Sequence, residues 1–271
     1  AAEVSRAATT ILDADQLMST VVKLIRSSFN LYYVGLFLVE EGTNTAVLRA
    51  GTGKEGELQM ALNHSQEIGG ESMIGTAVAT GQTIVEQNVR LARAFKPNPL
   101  LPETRAELAL PLKAGPKIIG ALTVQSTEQG AFASETITVL QSLADQLAIA
   151  LENAQLFAQT EQNLVETNRL YTASRRIGQA TNAYEIYKTL IDFVQAANIA
   201  DVVQIIIADP KAPDYLITPV YWSSDDIPVD PAHRFPRSKY RYSDQITNTD
   251  VIILDDAQKD PEIDPFSRRL F

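Results

Sequence analysis

The centre of the fold is encoded in residues 105–126, which read RAELALPLKAGPKIIGALTVQS. Apolar residues alternate with small or polar residues over 107–112 and again over 117–126, and a Gly-Pro pair at positions 115 and 116 separates the two stretches. Alternation of this kind predicts β-strands, and a Gly-Pro pair predicts the turn between them. We therefore expect two adjacent antiparallel strands joined by a tight turn.

Because successive side chains of a strand point to opposite faces, these two strands divide into two sets. One face is strongly apolar and suits packing under helices, with Leu108, Leu110, Leu112, Leu122 and Val124. The other face is small or polar, with Glu107, Ala109, Ala121, Thr123 and Gln125, and Gly35 and Phe37 of an earlier strand join it. The sheet is thus expected to have one apolar face that packs in the core and one face of small or polar residues.

The remaining sheet is predicted from the residues that precede this hairpin. An opening helix is followed by strands at 31–40 and 45–50, a long irregular middle part, a short helix over about 72–80 closed by Gly81, and a strand at 83–89. A segment with several prolines, 95–102, leads into the hairpin. The prediction is an α+β fold, with a central antiparallel sheet flanked by helices.

A long helix is predicted after the hairpin, over 134–179. No proline occurs from residue 131 to 177 and no glycine either, and the residues from Ser134 onward are strong helix formers. Apolar residues recur at alternating spacings of four and three, which is the heptad pattern of a coiled coil. We predict a parallel homodimer through this stripe, with Asn168 setting the register: Leu143, Leu147, Ala150, Ala154, Phe157, Glu161, Leu164, Asn168 and Tyr171. The alternative is that the first part, to about Phe157, packs only on its own sheet.

The two halves of the chain match without gaps at an offset of 169 residues. Ser5-Arg6 aligns with Ser174-Arg175, and the apolar residues of the opening helix and first strand align with apolar residues of the second half. The second copy reaches a strand at 251–254 and an acidic loop at 255–265, and ends before counterparts of 107–112 and 117–126. Two copies of one fold, the second incomplete, is the simplest interpretation.

Composition excludes several classes of protein. The 271 residues suit about two domains, and 33 acidic against 23 basic side chains give a net charge near −10, which disfavours a protein that coats nucleic acid. The chain has no cysteine, which excludes thiol catalysis, thiolate metal sites, disulfides and a thioether-linked bilin. No apolar run is long enough for a membrane helix. The chain begins Ala-Ala-Glu without Met and carries no signal pattern, so we expect an internal piece of a longer protein.

Several motifs together resemble a GAF domain, the small-molecule-sensing module of bacterial and other signalling proteins. They are GGESMIGTAVATGQ from Gly69, RAELALPL from Arg105, IIGALTVQS from Ile118, and the helix from Phe132 to Phe157 that ends ALENAQLF. The second half resembles the front of another GAF domain through RFPRSKYRY from Arg234 and VIILDDAQKDPEIDP from Val251. The motifs cover about residues 5–157 in the family's order.

This resemblance implies a domain organisation and a setting. The first GAF domain would span 1–157, the long helix 134–179 would overlap both halves, and a truncated second GAF domain would span 174–271. Such tandem pairs are similar to the input region of a cytoplasmic histidine kinase or related sensor. No phosphoacceptor histidine motif and no glycine-rich ATP box occurs in the chain, so we expect no enzyme activity here.

The resemblance also implies a ligand site between the sheet and the irregular middle segment. The polar face of the sheet would form its floor and an apolar group its roof, which gives the candidate ligand residues Gly35, Phe37, Met73, Ile74, Val78, Ile84, Glu107, Ala109, Thr123 and Gln125. The alternative is that Glu107, Thr123 and Gln125 only satisfy backbone groups of loops, and that the apolar residues are only core.

Charged residues of the middle segment offer a weaker candidate. Arg90, Arg93 and Arg105, with Lys96 nearby, could clamp an anionic ligand, although scattered surface cations are commoner. The two histidines, His64 and His233, also lie 169 residues apart, and we expect each to be an exposed loop residue. The acidic loop at 255–265 has no glycine for a calcium-loop turn and is interpreted as turn-forming acids, so no metal is expected.

The sequence thus favours a sensory module that binds a small molecule in the first GAF domain and transmits through a dimeric helix. A ligand-free dimerisation scaffold is the alternative, and the intact parent could be a histidine kinase or another signalling enzyme. The expected partners are a second copy of the chain, a possible small molecule and an output domain on the same parent, with no nucleic acid and no membrane span.

Overall fold

A computed structural model describes residues 2–91, 97–198, 200–224 and 234–239. The chain divides into two units, Ala1–Glu161 and Gln162–Phe271. Each of the described helices is too short or too polar to cross a lipid bilayer.

The first unit has the predicted α+β fold. Its six strands form one antiparallel sheet in the order β3-β2-β1-β6-β5-β4. The helices are α1 Ala2–Thr10, α2 Ala14–Ser28, α3 Gly53–Ala61, α4 Met73–Thr80 and α5 Ser134–Gln179, the last of which continues beyond Glu161 into the second unit. The strands are β1 Tyr33–Val39, β2 Thr45–Gly51, β3 Ser65–Glu67, β4 Ile84–Glu86, β5 Ala106–Ala114 and β6 Lys117–Ser126.

The two predicted faces of the sheet are present. Leu108 of β5 lies opposite Val124 of β6, and both belong to the main core beneath α2 and α5. On the other face, Thr123 of β6 lies between Gly35 of β1 and Ala109 of β5. A smaller apolar cluster covers part of that second face under α4. The sheet therefore separates the main core from the region of the candidate site.

Local signals fix several of the helix ends. The side chain of Asp13 accepts a hydrogen bond from Gln16 N at the start of α2, and Ser72 Oγ accepts one from Gly75 N at the start of α4. Gly81 ends α4 with φ of 65°, in the left-handed region that favours glycine. The Asp13 cap also begins a new helix, so the opening helix of the prediction is two helices, α1 and α2.

The middle part of the first unit is less irregular than predicted, because it contains helix α3 and strand β3. Helix α3 includes Gly53 and Gly56 and has little amphipathic character, so neither propensity nor periodicity predicts it. Gly56 allows the backbone of α3 to approach β2, since a Cβ on Gly56 would overlap the carbonyl carbon of Gly51. The packing of α3 is thus decided by a contact between two backbones.

In the first half of α5, the residues of the predicted dimer stripe are buried within their own unit. Leu143, Leu147, Ala150 and Ala154 are buried against the sheet of their own unit, and Leu147 is completely inaccessible. They follow heptad spacing because a helix packed on its own core needs the same apolar face. This burial agrees with the alternative interpretation for the residues up to Ala154, and the dimer stays a prediction. Beyond it, every residue from 155 to 172 is exposed, including Phe157, Leu164, Asn168 and Tyr171.

The second unit contains helix α6 Ala183–Ala197, strands β7 Val202–Asp209, β8 Ala212–Ser223 and β9 Arg234–Pro236, and a 3₁₀ turn Arg237–Lys239. Helix α6 begins and ends 169 residues after α2, and β9 has the same offset from β3. The side chain of Asn182 caps α6 through Glu185 N, as Asp13 caps α2. The strand order β7-β8-β9 follows that of β1-β2-β3. The predicted strand at 251–254, the acidic loop at 255–265 and His233 lie outside the described residues.

Candidate ligand-binding site

A cavity of about 470 Å³ lies in the first unit between the polar face of the sheet and the middle segment of the chain. This volume is within the range of small-molecule sites, roughly 300–1,000 Å³. Its walls are built by β1, β5 and β6, by α3 and the residues after it, by the start of α4, and by the segment 97–104. The lining residues are Tyr33, Phe37, Gln59, Leu62, His64, Ser65, Gln66, Ser72, Met73, Ile74, Pro97, Asn98, Pro99, Leu100, Leu101, Thr104, Glu107, Thr123 and Gln125.

The floor of the cavity carries a buried polar network. Thr123 Oγ1 donates a hydrogen bond of 2.7 Å to Glu107 Oε1, and Thr104 Oγ1 donates one of 2.6 Å to Gln125 Oε1. Glu107 and Gln125 are direct neighbours across β5 and β6, which explains why they face the same cavity. These side chains therefore bond mainly to each other, rather than serving only as partners for loop backbone.

Tyr33 adds a buried hydroxyl to the same floor. Its ring lies over Gly35, where an added Cβ would come within 2.9 Å of the ring, and its hydroxyl reaches Gly51. Among the described residues, Tyr33 Oη has no hydrogen-bond partner, although the residue is only 2% exposed. Burial raises the pKa of the Tyr33 phenol, and the side-chain amide of Gln59 lies close enough to Oη to offset part of this effect, although no hydrogen bond of normal geometry joins the two groups. A buried hydroxyl without a well-formed hydrogen bond is costly, so this group can still bond to a molecule in the cavity.

Helix α3 and the segment 97–104 form the opposite wall. Gln59 of α3 is buried and accepts a 2.7 Å hydrogen bond from Asn98 Nδ2, while Asn98 Oδ1 accepts one from Leu100 N. These bonds hold the loop against α3. His64 packs edge to face on Phe37, with ring centroids 5.9 Å apart, and its Nε2 is 3.1 Å from Gln66 Nε2. The expectation that His64 is exposed is therefore wrong, because the residue is half-buried in the cavity wall.

The electrostatics of the cavity are dominated by Glu107. Its side chain is 5% exposed and forms no ion pair with any described residue. Burial raises its pKa to about 7, against the smaller opposing effect of the hydrogen bonds from Thr123 and Gln125. The cavity thus contains a carboxyl group that gains or loses its proton near neutral pH and has no countercharge in the described part of the chain.

Comparison with known proteins identifies the fold around this cavity. The family model of the GAF domain matches residues 12–152, slightly more than half of the chain. The chain belongs to the GAF domain family. Residues 12–152 contain the complete six-stranded sheet and the described walls of the cavity, so the GAF domain includes the candidate site.

Solved structures support the same GAF fold. The GAF domain of a phosphoenolpyruvate-protein phosphotransferase from Coxiella burnetii has 21% identity and a TM-score of 0.53, and the match covers 58% of this chain and 94% of that one. Free methionine-R-sulfoxide reductase from Neisseria meningitidis, solved with its substrate, has 21% identity, a TM-score of 0.51 and coverage of 57% and 87%. At such identities these likenesses show the fold alone. A search of curated proteins found no match.

The structure divides the candidate ligand residues of the GAF domain into two groups. Phe37, Met73, Ile74, Glu107, Thr123 and Gln125 line the cavity. Four others lie behind its surface: Gly35 lies under the Tyr33 ring, and Ala109, Val78 and Ile84 belong to the apolar cluster under α4. Strand parity could have added Tyr33, which lies two residues before Gly35. No comparable signal exists for Gln59, Asn98 or Thr104, since they come from segments without an alternating pattern.

Two residues of the proposed anion clamp, Arg90 and Arg105, do not line this cavity. Arg90 is exposed and does not line the cavity, and Arg105 donates hydrogen bonds from Nη1 to the carbonyl groups of Pro102 and Thr104. Arg105 is held there because it satisfies backbone oxygen atoms of its own loop. Arg93 and Lys96 lie outside the described residues.

The raised pKa of Glu107 predicts a pH-dependent stability of the GAF domain. The folded state binds this proton more tightly than the unfolded chain, so the stability from this group is present below pH 4.5 and is lost as the pH rises through about 7. Relative to Glu107→Gln, we expect the wild type to lose about 2 kcal/mol between pH 5 and pH 8, since one pKa unit corresponds to about 1.4 kcal/mol. Urea unfolding followed by circular dichroism at both pH values measures this difference.

The comparison with Glu107→Gln isolates this group, because Tyr33, His64 and the half-buried Glu86 are common to both proteins. Parallel stability profiles for the two proteins would show that Glu107 titrates normally in the folded state.

Proposed function

We propose that the first unit is a non-catalytic sensory GAF domain that binds a small molecule in the cavity above the sheet. The observation that carries this proposal is the cavity itself: it combines apolar walls with buried polar groups, of which Tyr33 Oη is unpartnered among the described residues. A cavity filled by its own side chains, as a pure scaffold would have, needs no such groups. The volume and the mixture of surfaces favour an occupant.

A catalytic role of the thiol type is excluded by composition, because the chain contains no cysteine. The likeness to a sulfoxide reductase is therefore a likeness of fold, and the residues of this cavity do not supply a thiol. Glu107 could exchange a proton near neutral pH, but proton exchange also accompanies simple binding. Binding of a small molecule, without any chemical reaction, is enough to explain why these polar groups line the cavity.

We further propose that the second unit is part of a second GAF domain and that the chain is the input region of a signalling protein such as a histidine kinase. The support is the common offset of 169 residues at which α6 repeats the position of α2 and β9 that of β3. Asn182 also caps α6 as Asp13 caps α2, and the strands of the two sheets follow the same order. These features are local and independent of one another. Their agreement favours duplication over coincidence.

Helix α5 is the proposed route of transmission, through a homodimer. Phe157, Leu164 and Tyr171 recur every seven residues in the exposed stretch and are 46%, 68% and 66% exposed. A helix that is exposed on all sides in water is marginally stable unless a partner covers its apolar residues. A second copy would do so, with Asn168 setting the register. A ligand would shift the packing of α5 if it bound one arrangement more tightly than another.

The experiment that tests this function uses the small molecules that copurify with the chain. We expect denaturation of the purified protein to release a molecule identifiable by mass spectrometry, and its return to the ligand-free protein to raise Tm. Spin labels on the exposed part of α5 should report a changed interhelical distance at saturation. Absence of any released molecule, together with no change of Tm across a metabolite panel, would favour the ligand-free scaffold.

A further inference from the structure

We propose that the ligand of this cavity presents a positively charged nitrogen, as an ammonium or amidinium group, to the carboxylate of Glu107. This inference rests on the proposed function and specifies its ligand class. The body of the ligand would be a small aryl or alkyl group, packed on Phe37, Met73 and Leu100 of the cavity wall.

The described lining of the cavity carries negative charge and no fixed positive charge. Among the described residues that line the cavity, Glu107 is the acid, and none is lysine or arginine. Arg105, close in sequence, is directed to backbone carbonyl groups of its loop. Glu86 of β4 pairs with Glu107 across the strands, so its half-buried carboxylate adds negative charge on the same side of the sheet. The described surroundings of Glu107 therefore favour a cation over an anion.

Burial makes the ionised form of Glu107 costly. A buried carboxylate without a countercharge is unfavourable, and a positively charged donor offsets that cost through a charge-assisted hydrogen bond. Thr123 Oγ1 already donates to Oε1, which fixes the orientation of the carboxyl group toward the cavity. The titratable groups that share the cavity are Tyr33 and His64, and neither forms an ion pair with Glu107. The described residues around Glu107 supply no such cation, and a ligand cation would.

The start of α4 is the feature that opposes this inference. Ser72, Met73 and Ile74 line the cavity, and a helix N-terminus favours negative charge. However, Ser72 Oγ already accepts the hydrogen bond from Gly75 N, and the remaining dipole is only partial. A neutral oxygen of the ligand can lie there, whereas the carboxylate of Glu107, once ionised, selects the ionic group.

The remaining lining groups define the rest of the ligand. The apolar side chains of Phe37, Leu62, Met73 and Leu100 suit a hydrocarbon body, and Tyr33 Oη can bond a further polar atom. The cavity of about 470 Å³ accommodates a molecule larger than benzylamine. Small aryl probes therefore fit and report on the charge preference separately from the size of the natural ligand.

The test uses three probes of similar shape on the whole chain: benzylamine, benzyl alcohol and benzoate. Binding is followed by NMR titration at pH 8, with resonances of Phe37 and Thr123 as the local report. We expect benzylamine to bind about tenfold more tightly than benzyl alcohol, and benzoate to bind no more tightly than the alcohol. In Glu107→Gln the preference for the amine should fall to within about twofold.

Glu103→Gln is the matched control, because it removes the same charge from an exposed position just before β5. This variant should keep the tenfold preference, which separates a specific contact from a general effect of net charge. A preference for benzoate, an amine preference that survives in Glu107→Gln, or no binding of any probe would each overturn the inference.

The mass-spectrometric experiment distinguishes the two levels of failure. If the released molecule is anionic or uncharged, the cavity is a ligand site and the cation assignment is wrong. If no molecule is released and neither the probes nor a metabolite panel binds, the proposed function fails as well.

Discussion

Replacing Leu147 by alanine should lower the free energy of unfolding of the GAF domain by about 4 kcal/mol. Leu147 lies on α5 with none of its surface exposed and packs in the core between the helices and the sheet. Truncation of a fully buried leucine removes its packing and leaves a cavity, which typically costs roughly 2–5 kcal/mol. Urea unfolding should be followed by circular dichroism, since the single tryptophan, Trp222, lies in the second unit.

Leu164→Ala is the control on the same helix. Leu164 is 68% exposed, so we expect its truncation to change the unfolding free energy of the GAF domain by less than about 0.5 kcal/mol. In sedimentation equilibrium the same variant should weaken the proposed dimer, whereas Leu147→Ala should act on folding first. If Leu147→Ala affected only association, the packing of α5 on its own sheet would be wrong.

Gly56→Ala should destabilise the GAF domain by about 3 kcal/mol. In a helix, alanine normally exceeds glycine in stability by about 1 kcal/mol, so propensity alone predicts the opposite sign. The new Cβ would overlap the carbonyl carbon and oxygen of Gly51, and backbone atoms cannot rotate away as a side chain can. Overpacking of this kind typically costs roughly 1–3 kcal/mol.

The same change at Gly178 provides the matched control. Gly178 lies in α5, and a Cβ there would meet no atom within 4 Å. Gly178→Ala should therefore be neutral or stabilising by up to about 1 kcal/mol. Because Gly56→Ala displaces α3, it should also disturb Gln59 and weaken the binding of the aryl probes. Stabilisation by Gly56→Ala would show that α3 does not approach β2 so closely.

Part of the candidate site was predictable from sequence. The alternation in 107–112 and 117–126 correctly assigned Glu107, Thr123 and Gln125 to one face, because the period of a strand is two and needs no tertiary information. The same rule placed Gly35 on that face but did not show that the Tyr33 ring covers it. Gln59 and Asn98 meet across 39 residues of sequence, and no local pattern predicts a contact of that separation.

The heptad stripe shows a different limit. Spacing alone could not distinguish a helix that packs on its own sheet from a helix that packs on a second copy, because both require an apolar face. Leu147 and Leu164 are chemically identical and fit the same stripe, yet one is fully buried and the other is mostly exposed. Only the position of the sheet relative to α5 separates them.

The sequence by itself determined the elements whose signals are local: the alternating strands, the end of α4 at Gly81, and the uninterrupted helix α5. The tertiary structure decided which half of α5 is buried, and it brought α3 and the segment 97–104 over the sheet to enclose Glu107 and Tyr33. The physical reason is that propensity and periodicity act over a few neighbouring residues. A cavity, in contrast, is made by chain segments that are distant in sequence and meet only after folding.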